Sequence, residues 1–136
     1  DGEVELLRRR AARSERSPSV ESVLEPEQVL ALRETPETVR VDPDLMRYMA
    51  QVARATRRDR RVRVGVSPRG TQRLFEASRA RAVLVGREYV TPDDVKRVAQ
   101  PVLAHRLVLT PDAKVEDVRK RDVVEYVLDE VPVPTV

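Results

Sequence analysis

Three times the chain writes the same helix start: a short polar residue that can cap, followed by proline. The pairs are Asp42-Pro43, Ser67-Pro68 and Thr91-Pro92. A capping oxygen takes up a first-turn N–H. Proline has no N–H to leave unpaired, and its fixed φ suits the first helical position. After each pair, apolar residues return at helical spacing. Leu45, Met49, Val52, Ala53 and Thr56 mark one face of the first helix. Leu74, Phe75, Ala77, Ser78, Ala82 and Val85 cover a wide arc of the second, which predicts a central helix running to about Val85 with Gly86 as its stop. Val95, Val98, Ala99, Val102 and Leu103 stripe the third, with a kink or restart expected at Pro101. The expected fold is all-α: a small helical bundle with at most a short two-stranded β element.

The remaining segments are less strongly marked. Residues 3–13 read as a helix with one weak apolar stripe (Val4, Leu7, Ala11), and 14–24 as a Ser-rich loop or connection. A short helix is predicted from Pro26 to Glu34, with Val29, Leu30 and Ala31 to bury. Val39–Val41 reads as extended, and Val62–Val66 as a short extended segment or a loop. Leu107–Leu109 also reads as extended, with Tyr89-Val90 as its expected partner. Thr110-Pro111 reads as a turn. A last helix is predicted over about Lys120–Asp129, burying Val123, Val124, Val127 and Leu128.

Composition removes several function classes. The 136 residues suit one small domain. With no Cys and a single His (His105), thiolate and His-rich metal sites are excluded. No apolar run approaches the roughly 18 residues of a membrane span, and no signal-peptide pattern opens the chain. The expected location is cytoplasmic. Of 26 basic residues only Lys96, Lys114 and Lys120 are Lys, which leaves 23 Arg. That bias fits either Arg-codon-rich coding or an interface that uses forked guanidinium contacts. A net charge of +3 does not announce a nucleic-acid binder. Asp1-Gly2-Glu3 runs straight into an amphipathic pattern without an initiator Met, as expected of part of a longer chain.

One local rule is broken. Asp42-Pro43 and Thr91-Pro92 are followed by Asp44 and Asp93, as the helix dipole prefers. Ser67-Pro68 is followed by the cation Arg69, which is unfavourable there by about 0.3–1 kcal/mol when exposed. Gly70 follows, weakening the first turn by up to ~1 kcal/mol relative to Ala. Such violations tend to sit at functional sites. An anion would resolve the conflict, since free N–H groups of the helix start and the Arg69 guanidinium could both meet it. Gly70 would remove a side chain from its path. Ser67, Pro68, Arg69 and Gly70 thus read as half of a phosphate site. The alternative is an Arg69 paired with a nearby carboxylate. No phosphate-cradling GxxxxGK[ST] loop is present, nor a strand ending in paired acids for Mg²⁺. The chain is therefore not expected to hydrolyse nucleotide alone.

Gly65-Val66-Ser67-Pro68-Arg69-Gly70 resembles the sensor 2 motif of MoxR-family AAA+ ATPases, in which a GxSPR element opens a lid helix. The resemblance continues through Ala77-Ser78-Arg79-Ala80-Arg81-Ala82, Gly86-Arg87-Glu88-Tyr89-Val90-Thr91-Pro92-Asp93-Asp94-Val95 and Val102-Leu103-Ala104-His105-Arg106-Leu107. It is strong over about residues 40–110 and weaker outside. It implies a C-terminal lid domain at 25–136, preceded by a helix and linker at 1–24 from an N-terminal ATPase core. That core would carry the phosphate loop and hold Mg²⁺ with the ATP. The resemblance further implies that Arg69, with Ser67, Pro68 and Gly70, meets the γ-phosphate. It also implies a hexameric, chaperone-like homo-oligomer that remodels partner proteins, often ones with von Willebrand factor A domains. Gly70 stands where the family more often has Ala.

Other residues carry two readings each. His105 is either a helix-end cap or a base. The run Arg57, Arg58, Arg60, Arg61 and Arg63 is either a solvated helix end or a subunit or nucleotide contact. Arg8, Arg9 and Arg10 would flank the junction with the core. The rival function is a nucleic-acid-binding, histone-fold-like helical module. It draws on the Arg runs and the Val-Thr-Pro-Asp-Asp-Val helix start. Against it stand 23 acids and only four aromatic residues for base stacking.

Overall fold

The computed structural model describes residues 2–12 and 21–135. Most of the Ser-rich connection read at 14–24 lies outside them. The described chain is helical. Its order is α1 (Gly2–Ala11), α2 (Pro26–Glu34), α3 (Pro43–Arg58), β1 (Val62–Val64), α4 (Pro68–Leu84), α5 (Pro92–Leu103), β2 (Val108–Leu109), α6 (Pro111–Val115) and α7 (Lys120–Glu130). Two 3-10 turns, Thr35–Thr38 and Ala104–Arg106, follow α2 and α5.

The capping grammar works as chemistry predicts. Asp42 accepts from Asp44 N, Ser67 from Gly70 N and Thr91 from Asp94 N, each with Pro in the first turn. A fourth start has the same form. Thr110 accepts from Ala113 N and Pro111 opens α6, so the segment read as a turn is a short helix. At the other end of α4, Gly86 adopts φ 71°. Its N–H donates to Val83 O and the Arg87 N–H to Ala82 O, both at 2.9 Å, which closes the helix in a Schellman motif. Val85, placed on the buried arc by its spacing, is exposed because the helix has already ended at Leu84. Of the kink or restart expected at Pro101, the restart does not occur. α5 runs through it to Leu103 and then tightens into the 3-10 turn.

α4 packs chiefly on α5 and also on α3, and α7 closes the bundle against α3 and α5. The core is built from Leu45, Tyr48, Met49 and Val52 of α3, Leu74 and Ala82 of α4, Val95, Ala99 and Leu103 of α5, and Val123, Val124 and Val127 of α7. Each full burial of a Val or Leu contributes about 1.5–3 kcal/mol. α2 contributes none of its residues to this core. Val29 and Leu30 are exposed, contrary to the expectation from their spacing, because no described element covers that face.

The short sheet pairs β1 with β2, antiparallel, with Val62 opposite Leu109 and Val64 opposite Val108. Tyr89 is not the partner of β2. Its edge is taken by Arg40, whose N–H donates to Glu88 O at 2.9 Å and whose carbonyl accepts from Val90 N at 3.0 Å. No described helix is long and apolar enough to cross a membrane.

Candidate functional site

The start of α4 is held by the end of α3. Thr56, fully buried, donates its hydroxyl to Ala53 O at 2.7 Å and accepts from Val66 N at 3.0 Å. One residue on, an Arg57 guanidinium N–H donates to Val66 O. Both backbone groups of Val66 are thus tied to α3, and its side chain is fully buried. The close approach needs Gly65. A Cβ there would lie 2.7 Å from Arg57 Cα and 2.8 Å from Arg57 N. Thr56→Val should therefore cost about 1–3 kcal/mol, because it strands a buried N–H while keeping the side-chain volume. Chemical denaturation checks this, and a loss well under 1 kcal/mol would show that the Thr56 bond does not hold the site.

From this anchor the chain turns through Ser67-Pro68 into α4, and Arg69 emerges exposed on the first turn. It forms no ion pair among the described residues, so the carboxylate-paired alternative is not what the structure holds. α4 has no acid in its first turn, whereas α3 and α5 carry Asp44 and Asp93 there. The cation at the positive helix end is thus uncompensated from within.

The backbone half of the anticipated anion site is smaller than the sequence suggested. Ser67 Oγ already accepts from Gly70 N at 3.3 Å, Thr71 N donates to Ser67 O at 3.1 Å, and Pro68 has no N–H. That leaves the Arg69 N–H as the first-turn donor without an acceptor among the described residues. Gly70 also has a different reason to be glycine. It is buried, and a Cβ would lie 2.6 Å from Val66 Cγ1 and 3.3 Å from Arg106 Cδ. Its missing side chain makes room for neighbours inside the fold rather than for a ligand outside it.

Two further cations border this turn. Arg57 reaches it through Val66 O, and the Arg106 stem passes Gly70 while its guanidinium donates to Val102 O. The sequence offered a nucleotide or subunit contact as one reading of the run that contains Arg57, but it did not bring Arg57 and Arg106 together here, because only the packing of α3 and of the turn after α5 does so. A groove of about 400 Å³ runs beside Arg57 between α3 and α4, bordered by Met46, Met49, Pro68, Gln72 and Phe75. His105 Nδ1 lies 3.0 Å from Pro101 O at the end of α5, the position of a helix-end cap. Arg8 and Arg10 are exposed on α1, and Arg9 pairs with Glu5 at 2.9 Å.

The family model for the AAA lid domain matches residues 54–127, more than half of the chain. Chaperone MoxR1 of Mycobacterium tuberculosis is 34% identical over 128 residues, 88% of this chain and 34% of that protein. The uncharacterized protein YeaC of Bacillus subtilis is 35% identical over 116 residues, 85% of this chain and 36% of its own length. The chain thus spans about a third of these curated relatives. The protein MoxR of Paracoccus denitrificans is 58% identical over 52 residues, 38% of this chain and 15% of that protein. A crystal structure of a candidate ATPase from Cytophaga hutchinsonii superimposes with a TM-score of 0.85 at 27% identity, covering 99% of this chain and 44% of that one. Together with the four-helix core, the GxSPR turn and the small sheet, these matches place the chain in the AAA lid domain family, as the lid of a MoxR-type AAA+ ATPase.

Proposed function

We propose that this lid closes over ATP bound to an ATPase core, and that Arg69 is the sensor 2 arginine that meets the γ-phosphate. The observation that carries the reading is the exposed Arg69, without an ion pair among the described residues, on a proline-started helix without a first-turn acid. The residues fit an anion in part. The guanidinium and its own N–H are available, while Ser67 and Pro68 shape the turn and Gly70 packs it. ATP with Mg²⁺ would supply the charge that the helix end lacks, and the other phosphate contacts would come from the core. On this reading residues 1–24 are the helix and linker leading from that core, and 25–136 are the lid.

Lid rotation would then carry nucleotide state to neighbouring subunits of a cytoplasmic homo-oligomeric ring, hexameric as the family resemblance implies. The ring would remodel partner proteins, von Willebrand factor A domain proteins among them. The name of the M. tuberculosis relative, a chaperone, supports this direction.

Arg69→Ala in the full-length ATPase should lower ATP turnover at least tenfold, as expected when a charged hydrogen bond of about 1.5–3 kcal/mol is lost at the transition state. Arg69→Lys should fall between, since it keeps the charge but not the fork. Steady-state turnover and nucleotide affinity are the readouts. If Arg69→Ala changes neither, the sensor role is wrong.

A further inference from the structure

The arginines from Arg54 to Arg61 are a single block in the sequence but three groups in space. Arg57 is turned to Val66 O. Arg61 is bound to Asp59 by two side-chain hydrogen bonds and lies over the Tyr126 ring at 4.4 Å. Arg54, Arg58 and Arg60 form no ion pair among the described residues. All three line a cleft of about 980 Å³ between the second half of α3, the turn at 59–61 and the end of α7. Ala55, Val127 and Pro132 give it an apolar side, and its two carboxylates are Asp59, already held by Arg61, and Glu130, so guanidinium groups remain in excess. It lies across Arg54 from the groove beside α4, on another face of α3, so it is not part of the Arg69 site. Three unpaired guanidinium groups beside an apolar wall suit a ligand that interleaves carboxylates with aliphatic side chains.

The same chain displays such a segment. Residues 21–34 carry Glu21, Glu25, Glu27 and Glu34 against the single cation Arg33. Val23, Leu24, Val29, Leu30 and Leu32 are exposed there, and α2 buries none of its residues. On α2, Glu27, Leu30, Ala31 and Glu34 fall at i, i+3, i+4 and i+7. One face therefore presents carboxylate, apolar, carboxylate over about 10 Å of helix axis. We propose that the Arg54–Arg58–Arg60 cleft receives the 21–34 segment of a second copy of this chain, with Leu30 against the apolar wall and Glu27 and Glu34 on the guanidinium groups. The contact joins two different surfaces and is heterologous, so it can propagate around a ring. It does not depend on Arg69 meeting nucleotide.

Charge reversal tests it by sedimentation velocity on the purified chain across a salt series, with circular dichroism as the control for folding. The wild-type chain should self-associate at low salt and dissociate as salt rises. Arg58→Glu/Arg60→Glu and Glu27→Lys/Glu34→Lys should each weaken association at least tenfold. An equimolar mixture of the two variants offers two complementary pairings, the native segment on the native cleft and the reversed segment on the reversed cleft, and should recover association that neither variant shows alone. All four changes in one chain should restore self-association. A wild-type chain that stays monomeric at low salt overturns the proposal. So does association unmoved by either reversal, or a fourfold variant without recovery. If the Glu27→Lys/Glu34→Lys change alters thermal stability but not association, α2 is covered within its own chain. If Arg58→Glu/Arg60→Glu removes DNA binding and leaves association intact, the cleft takes nucleic acid. Either result also overturns it.

Discussion

Replacing Gly65 with alanine is expected to destabilise the lid by about 3 kcal/mol and to loosen the turn that presents Arg69. The new Cβ would sit 2.7 Å from Arg57 Cα and 2.8 Å from Arg57 N. Those are backbone atoms of α3, so no side-chain rotation relieves the overlap. Overpacking of this kind costs about 1–3 kcal/mol on its own. Here the relief is to move Val66 away from α3, which stretches its bonds to Thr56 and Arg57 and adds about 1 kcal/mol for each bond lost. Gly86→Ala separates this mechanism from simple backbone strain. Gly86 has φ 71° and nothing within 4 Å of a built Cβ, so alanine there should cost only about 1 kcal/mol. Urea denaturation of both variants is the measurement. Equal small losses would mean that the approach of residue 65 to α3 is easily relaxed. In the full-length ATPase, Gly65→Ala should also reduce turnover at temperatures where the fold survives, whereas Gly86→Ala should not.

The legible part of this fold was local. Asp42, Ser67 and Thr91 cap the helices they were expected to cap, because a cap and its proline act within four residues of each other. Thr110-Pro111 has the same form and was read as a turn. Its helix is only five residues long, too short for an apolar period to accumulate. What the sequence did not reveal was pairing at a distance. β2 lies beside β1, and the Tyr89 strand edge goes to Arg40, although an extended run of Val and Leu looks equally able to pair with either. The site divides in the same way. Arg69 stood out because its charge contradicts the helix dipole, which is a property of neighbouring residues. The anchoring of Val66 by Thr56 and Arg57 spans ten and nine positions, and the contact of Arg106 at Gly70 spans thirty-six, and neither leaves a periodic trace. Gly70 shows why the difference matters. From its neighbours alone it looked like an opening for a ligand, and in the fold it is an internal contact.

Asp94 should be the residue whose loss most steepens the failure of the α4–α5 junction, and the loss should depend on pH. It is 3% exposed, and Arg87 grips it with two hydrogen bonds of 2.6 Å, one to each carboxylate oxygen. It also accepts from the Thr91 N–H at 2.9 Å and the Thr91 hydroxyl at 2.8 Å, completing a capping box. Burial alone would raise its pKa. The hydrogen bonds from Arg87 and Thr91 outweigh burial and hold the carboxyl below its ordinary value. Asp59 is lowered too, first by its side-chain bonds to Arg61. A depressed carboxylate stabilises the folded state fully above the unfolded pKa, about 3.9 for Asp. That contribution is lost as pH falls through the lower folded value. Asp94→Ala should therefore lower stability near neutrality by about 3 kcal/mol, combining a lost cap of about 1 kcal/mol with lost charged hydrogen bonds. Asp94→Asn should lose less, since an amide can still cap. Both variants should converge toward the wild type as pH falls below about 4, the unfolded pKa, and on through the lower folded value. Thermal unfolding followed from pH 7 to pH 2.5 checks the sign. A deficit in Asp94→Asn that stayed constant across that range would assign the role of Asp94 to shape rather than charge, and the acid limb of the wild type would then fall to Asp59 and Asp122, whose carboxyls are also lowered by their Arg partners.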